Sequence, residues 1–198
     1  MQISASLLRQ SIEKHVELTD DQFQVLLKSA VSRKYKKGQF IVHAGAVARK
    51  THFINKGAAL AYFIDNAGNE HVIQFAIEGW WISDIHSYVL GSPALFNVRA
   101  IEDCELFEFR YEDLQTVYNQ VPPVQSYFLS ITQMAFASFQ ERTLYNLSLS
   151  AEERYLKFIA KYPKMELRFP QKVIASYLGI SAEFYSKIKK KLLDAQKP

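Results

Sequence analysis

The chain has 198 residues, with 24 lysines and arginines against 20 aspartates and glutamates, so its formal net charge is +4. Hydrophobic residues make up 48% of it and aromatic residues 14%, which suffices for a packed core and excludes an intrinsically disordered chain. No stretch approaches the roughly 18 apolar residues of a membrane span, and the first residues lack a secretory signal pattern. The single cysteine, Cys104, excludes an internal disulfide and a cysteine-only zinc or iron–sulfur site. We therefore expect a cytoplasmic protein that does not contact a membrane.

The charge is distributed unevenly along the chain. Residues 1–150 carry 13 basic and 15 acidic side chains, whereas residues 151–198 carry 11 basic and 5 acidic side chains. A basic C-terminal segment attached to a nearly neutral body indicates an anionic polymer as partner. The alternative is a solvated lysine-rich tail, and charge alone does not distinguish the two.

The N-terminal part predicts two helices followed by a β-rich region. Residues 4–16 have a helical pattern, and Thr19 has the sequence spacing of a capping box at the start of a second helix. Over residues 34–109, short runs of β-branched and aromatic residues alternate with turn signals about every 8–12 residues. This pattern predicts an all-β sandwich or roll. Residues 66–69 are expected to form a hairpin loop with Gly68 at positive φ.

A long helix is predicted over residues 121–148. Pro122 and Pro123 can begin it, and no proline or glycine follows from Val124 to Leu147. At about 1.5 Å per residue, the stretch from Val124 to Leu147 alone is roughly 36 Å long, more than a small domain covers. Its apolar and small residues step by three and four, as pairing with a second copy requires. We therefore predict a homodimer; the alternative is a helix packed wholly on its own β-domain. The predicted interface residues are Phe128, Ile131, Ala135 and Ser138.

The C-terminal segment, residues 149–198, contains the most informative pattern. It predicts two short helices joined at Gly179, because glycine adopts a positive φ at little cost, and Ser181 is a residue type that begins helices. Ala175 is small enough to let the two helices cross closely. The apolar residues of the second helix are Phe184, Tyr185, Ile188 and Leu192. The pattern is typical of a helix-turn-helix, although an ordinary helical hairpin with a lysine-rich face shares it.

A helix-turn-helix places its second helix in the major groove of DNA. Glutamate can accept a hydrogen bond from cytosine and lysine can donate one to guanine, whereas other lysines suit phosphates. We therefore predict double-stranded DNA as the partner. The predicted DNA-binding residues are Lys172, Ser181, Ala182, Glu183, Ser186, Lys187, Lys189 and Lys190, and Lys191 is likewise expected to suit a phosphate.

The order of β-roll, long helix and helix-turn-helix resembles the Crp/Fnr family of bacterial transcription regulators. The resemblance rests on segments such as RKYKKGQFIVHAG and IASYLGISAEFYSKIKKKL and covers nearly the whole chain. It implies an α+β fold with a jelly-roll sensor domain of the cyclic-nucleotide-binding type over residues 1–120, a dimerisation helix over 121–148 and a DNA-binding domain over 149–198. It further implies binding to a palindromic operator and RNA polymerase as a further partner.

Two departures from the family concern DNA recognition. The family's recognition helix carries an Arg-Glu pair and a later basic residue; here Glu183 matches, while Ala182 and Lys187 replace arginines. We therefore expect a different DNA sequence to be read. The family usually adds a β-hairpin wing after this helix, and because the sequence ends at Pro198 we expect the wing to be absent.

The effector site departs further. Cyclic-nucleotide-binding members have a Gly-Glu pair and an Arg-Ser pair, which fall here near Ser83-Asp84 and Ala94-Leu95. A desolvated phosphate needs a positive partner, and neither alanine nor leucine supplies one. We therefore expect an effector other than cyclic AMP, apolar or aromatic, or none; plain core packing explains the aromatic residues equally well. The candidate pocket residues are Trp81, Asp84, His86, Leu95, Arg99 and Ser138.

Other classes of protein are less compatible with the sequence. A cupin-type metal oxygenase needs a His-x-His pair, and none occurs, so we expect no enzyme. A regulator that has lost DNA binding and acts through protein contacts, with or without an effector, stays an alternative. The histidines of the β-region leave a haem site open, but we predict no cofactor and no metal. These histidines are His43, His52, His71 and His86.

Overall fold

The structure, a computed structural model, describes residues 3–195 and divides into two compact units. The first unit comprises the residues up to Phe63 together with Ile73–Met134. The second comprises Ile64–Val72 and the residues from Ala135 onward. This division falls inside the long helix, whereas the sequence suggested a boundary at each end of it, so the domain limits drawn from the sequence stay a prediction.

The secondary structure follows the order expected from the sequence. The strands are β1 (Ala30–Tyr35), β2 (Phe40–Val42), β3 (Lys50–Lys56), β4 (Ala59–Ile64), β5 (Glu70–Ala76), β6 (Trp81–Ile82), β7 (Asn97–Ala100) and β8 (Cys104–Arg110). The helices that precede, interrupt or follow them are α1 (Ser6–Glu13), α2 (Asp20–Lys28), α3 (Ile85–Leu90), α4 (Tyr111–Gln120) and α5 (Pro122–Ser148). The C-terminal helices are α6 (Ala151–Lys161), α7 (Met165–Arg168), α8 (Gln171–Leu178) and α9 (Ala182–Ala195).

The described strands form two four-stranded sheets, ordered β1-β8-β3-β6 and β2-β7-β4-β5. β3 pairs antiparallel with β8, so that Phe53 lies opposite Phe107. In the other sheet β4 pairs antiparallel with β7, so that Ala61 lies opposite Val98. Strands from opposite ends of the β-region therefore lie side by side, and the predicted β-roll is confirmed.

Two predicted turn features are present in the structure. The Thr19 hydroxyl accepts a hydrogen bond from the Gln22 N–H at 3.3 Å, and the Gln22 side chain accepts one from the Thr19 N–H at 3.0 Å, which completes the capping box of α2. Gly68 has φ +85°, and the Asp65 carboxylate accepts the N–H of Asn69 at 2.9 Å. Both predictions are confirmed. Each could be made from the sequence because the turn depends only on residues close together in it.

Two groups of buried side chains build the core of the first unit. Large residues such as Phe53, Phe107 and Leu114 pack between one sheet and the helices of this unit. Smaller aliphatic residues, among them Ile54 and Val98, fill the interior of the roll. Because successive residues of a strand point to opposite faces, neighbours such as Phe53 and Ile54 contribute to different groups.

The N-terminal part of α5 packs against the first unit. Val124 and Tyr127 are fully buried in the first unit, and the packing that buries them also half-buries Phe128 and Ile131, two of the predicted interface residues. The apolar residues of α5 that remain exposed are Leu129, Met134, Phe136, Phe139, Leu144 and Leu147. The long helix itself is confirmed, whereas the dimer and its four predicted interface residues stay a prediction.

The helices of the second unit begin with another capping box. The Ser150 hydroxyl accepts the Glu153 N–H at 3.3 Å, and the Glu153 carboxylate accepts the Ser150 N–H at 2.8 Å. Buried aromatic and aliphatic residues such as Tyr155, Ile174 and Tyr185 join α6, α8 and α9. Between residues 3 and 195, no helix is long and apolar enough to cross a membrane. The expected absence of a wing concerns the chain end beyond the described residues and stays a prediction.

Candidate nucleic-acid interface and sensor site

The turn between α8 and α9 has the geometry predicted from its sequence. Gly179 has φ +67°, its N–H bonds the Ser176 carbonyl at 3.1 Å, and the Ile180 N–H bonds the Ala175 carbonyl at 3.0 Å. This pair of bonds is a Schellman motif, which ends α8 and redirects the chain. The Ser181 hydroxyl then accepts the N–H of the third residue along at 3.1 Å and begins α9. The predicted helix-turn-helix is present.

Helix α9 has one buried and one exposed face. Tyr185 and Ile188 are buried, whereas Glu183 and Lys187 are exposed. Phe184, which the sequence pattern assigned to the apolar face, is 49% exposed, so that assignment was wrong. Adjacent helical residues point about 100° apart, and the core accommodates Tyr185 instead. An exposed aromatic side chain near the start of α9 is the functional feature that sequence analysis missed.

The Glu166 carboxylate joins three helices of the second unit. It accepts hydrogen bonds from the hydroxyls of Tyr155 on α6, at 3.2 Å, and Tyr185 on α9, and from the ammonium of Lys189 on α9, at 3.2 Å. Burial acts to raise the pKa of Glu166, but the bonds from Tyr185 and Lys189 hold it below its ordinary value. Burial and the carboxylate together raise the pKa of Tyr155 to about 12. These contacts fix which face of α9 points inward.

The lysines predicted to contact DNA fall into two groups. Lys189 is committed to Glu166, and Lys191 bonds Glu152 at 2.7 Å. The exposed members are Lys172 on α8 and Lys187 and Lys190 on α9. The position of Lys189 therefore favours a structural role over a contact with phosphate.

The residues at the start of α9 differ in exposure and in their hydrogen bonds. The Ser186 hydroxyl donates to the Ala182 carbonyl at 3.0 Å, and Ala182 itself is half-buried. Glu183 is exposed, and hydrogen bonds from its own N–H and from Ser181 lower its pKa, so it is ionised near neutral pH. The N-terminal turn of α9 therefore presents a carboxylate and an aromatic ring to solvent.

In the first unit, Asp84 is fully buried and bonded to the backbone. Its carboxylate accepts the N–H groups of Ser87 at 2.9 Å, Leu95 at 2.6 Å and Phe96 at 3.2 Å. The amides near the position where the family resemblance placed an Arg-Ser pair are thus satisfied by a side chain of the protein. A phosphate entering here would meet a buried carboxylate and no arginine in place of Ala94 or Leu95.

The other candidate pocket residues of the first unit have separate partners. Trp81 packs in the helical core, and its indole N–H bonds the Tyr127 hydroxyl at 2.8 Å. His86 bonds Ser92 at 3.1 Å. The Arg99 guanidinium lies 4.7 Å from the centre of the Tyr62 ring.

The remaining two candidates have different surroundings. Leu95 is 62% exposed on the first unit, so its side chain does not contribute to an enclosed pocket. Ser138 belongs to the second unit, where its hydroxyl accepts a hydrogen bond from Lys161 at 3.2 Å.

A buried polar cluster in the roll was not predicted from the sequence. Glu108 is nearly fully buried and accepts the Tyr35 hydroxyl at 2.6 Å and the Lys50 ammonium at 3.3 Å, with His52 3.7 Å away. Burial lowers the pKa of His52 to about 4, so this histidine is neutral near pH 7. In the part of the chain that the structure describes, no three histidine, cysteine, aspartate or glutamate side chains are placed to share a metal.

Comparison with known proteins shows which proteins the chain resembles. Residues 32–121 match the cyclic nucleotide-binding domain family. The anaerobic regulatory protein of Haemophilus influenzae is 23% identical over 175 residues, covering 82% of this chain and 67% of that protein. The cAMP-activated global transcriptional regulator CRP of Escherichia coli is 25% identical over 187 residues, 89% of each protein. The c-di-GMP responsive global regulator CLP of Xanthomonas campestris has the same fold, with a TM-score of 0.74 at 16% identity over 89% of this chain and 93% of that one.

The chain is thus similar in sequence and in fold to regulators of the Crp/Fnr type. The Crp/Fnr relatives named above are regulators, which supports a role of this chain in transcription regulation. Within this fold, the Asp84 carboxylate accepts backbone N–H groups of neighbouring residues, and helix α9 carries Phe184 and Lys187 on its exposed face.

We predict that Glu166→Gln lowers the free energy of unfolding of the second unit by about 2–3 kcal/mol, because three donors lose a charged acceptor. The matched control is Glu152→Gln, which breaks the exposed pair with Lys191 and should cost less than about 1 kcal/mol. Urea unfolding and hydrogen exchange of the α6 and α9 amides measure both. Equal losses for the two variants would contradict the role given to Glu166.

Proposed function

We propose that this Crp/Fnr-family chain regulates transcription as a homodimer that binds duplex DNA through α9, without cyclic AMP as its effector. The observation that carries the proposal is the division of α9 into a face held by Glu166 and an exposed face with Glu183, Phe184 and Lys187. The proposal places the protein in the cytoplasm, with RNA polymerase as a further partner.

The exposed face of α9 has the chemistry needed to read base edges. A glutamate carboxylate accepts from the cytosine amino group, a lysine donates to guanine, and an apolar side chain contacts the thymine methyl group. Glu183, Lys187 and Phe184 supply these three groups within the first turns of the helix. Lys172 and Lys190 then suit phosphate contacts, which add affinity without sequence preference.

The exposed apolar residues of α5 support the homodimer. Leu129 and Phe136 are seven residues apart, and Phe139 follows three residues later, so the three lie along one helix face. They are exposed by 59%, 60% and 55%, respectively. A second copy of the same helix would cover them, and two-fold pairing would present two copies of α9 to a palindromic site.

The surroundings of Asp84 support the exclusion of cyclic AMP. A phosphodiester taken out of water needs a positive partner, and the amides that could help it already donate to Asp84. The interior of the roll is filled by aliphatic side chains. An effector of other chemistry remains part of the proposal, and the candidate residues in the roll do not define where it binds.

The DNA-binding proposal predicts different effects for two substitutions, once bound sequences have been selected from randomised duplexes. Glu183→Ala should cost about 1–3 kcal/mol at one base position and relax the preference there. Lys190→Ala should weaken binding to all duplexes alike and reduce the slope of log affinity against log salt by about 1. Fluorescence anisotropy with matched and mismatched duplexes measures both.

Lys191→Ala is the matched control for these variants, because Lys191 lies on the same helix but is paired with Glu152. It should change the salt slope less than Lys190→Ala does. If wild type and all three variants bind every duplex equally, α9 is not the reading helix. If no duplex binds at all, the result favours the alternative, a regulator that has lost DNA binding and acts through protein contacts.

We predict that cyclic AMP at millimolar concentration changes neither the melting temperature nor the affinity for DNA. A ligand present at 100 times its Kd would stabilise the folded state by about 2.7 kcal/mol, which a thermal melt detects readily. The cAMP-activated regulator CRP serves as the positive control. Saturable binding of cyclic AMP would contradict the structural reading of Asp84.

A further inference from the structure

The second unit contains a cavity that the proposed DNA contacts do not use. Its volume is about 50 Å³, and its walls come from α5, α6 and the end of α8. At about 10–15 Å³ for each water-sized sphere, it holds roughly three to five such spheres, the size of a phosphate or carboxylate group. The charged and hydroxyl-bearing residues around it include Arg142, Tyr145, Arg154, Lys157, Lys161 and Tyr177.

Positive charge exceeds negative charge around this cavity. Four cationic side chains line it, whereas Glu141 is the single carboxylate among its lining residues. Glu141 is already engaged, because it accepts the Lys161 ammonium at 2.6 Å and the Tyr145 hydroxyl at 2.7 Å. Within residues 3–195, neither Arg154 nor Lys157 has a carboxylate within ion-pair distance.

Arg154 is held by two hydrogen bonds that use only part of its guanidinium N–H donors. Its Nε donates to the Leu178 carbonyl at 3.1 Å and its Nη1 to the Leu149 carbonyl at 2.9 Å, so it caps the ends of two helices. An arginine has five N–H donors in a rigid plane, and these two bonds use two of them. The remaining donors belong to a half-buried guanidinium whose geometry matches an oxyanion.

Aromatic rings position the neighbouring cations. The Lys157 ammonium lies 4.8 Å from the centre of the Tyr145 ring, and the Arg142 guanidinium lies 4.7 Å from the centre of the Tyr177 ring. Such rings stabilise a cation without neutralising its charge.

We propose that this cavity is a binding site for a small oxyanion, the phosphate or carboxylate group of a metabolite, held by Arg154 and Lys157. Because α5, α6 and α8 all contribute to its walls, a bound anion would link the long helix to the helix that precedes the recognition helix and stabilise the second unit. Anion binding does not rest on the proposed DNA binding and is tested without DNA.

The test uses the full chain in chloride buffer at constant ionic strength, titrated in separate calorimetric experiments with inorganic phosphate and with acetate. We expect saturable binding of at least one of them and a matching rise in the melting temperature. Lys157→Gln should weaken that binding roughly 10- to 100-fold, the effect of losing one charge-assisted hydrogen bond. Lys164→Gln, an exposed lysine outside the cavity, is the control and should bind as wild type does.

Each outcome decides the proposal. Binding of phosphate alone, of acetate alone or of both, with the expected loss in Lys157→Gln, supports it and identifies the anion. The absence of saturable binding at tens of millimolar of either anion would overturn it. Equal binding by wild type and Lys157→Gln would also overturn it, since the anion would then lie elsewhere. DNA affinity measured in the same chloride buffer stays independent of these results.

Discussion

The second unit depends on one half-buried carboxylate. Glu166 accepts hydrogen bonds from α6 and α9 at once, and its charge is compensated by Lys189 and two tyrosine hydroxyls. Without such an acceptor, Tyr185 would be a fully buried hydroxyl with no charged partner. The rotation of α9 follows from this arrangement, and with it the identity of the residues that face solvent. The candidate DNA surface is therefore a consequence of an internal contact rather than of surface composition.

A similar principle operates in the first unit. Asp84 donates no hydrogen bonds but collects three backbone N–H groups, so the loop before β7 is organised by the protein's own anion. Together with the aliphatic interior of the roll, this separates the fold of the sensor unit from the identity of any effector.

Local features of the structure could be predicted from the sequence, whereas tertiary choices could not. The turn at Gly179 and Ser181 could be predicted because its geometry depends on a few adjacent residues. Phe184 and Tyr185 are adjacent and both apolar, so periodicity alone could not decide which one the core accepts. Helix α5 has apolar residues all around its axis, so periodicity alone could not decide which of them face solvent. The pairing of Lys189 joins residues distant in the sequence and left no local signal.

Photo-cross-linking from the exposed face of α9 tests most directly whether two copies of this helix contact the bases of one duplex. A photoreactive amino acid is placed at Glu183, and the protein is irradiated in complex with a selected duplex. We expect cross-links to bases at two positions about 34 Å apart, one helical turn, because the two copies of α9 in the proposed dimer would enter successive major grooves. Cross-links at one position only, or none to the duplex at all, would contradict this expectation.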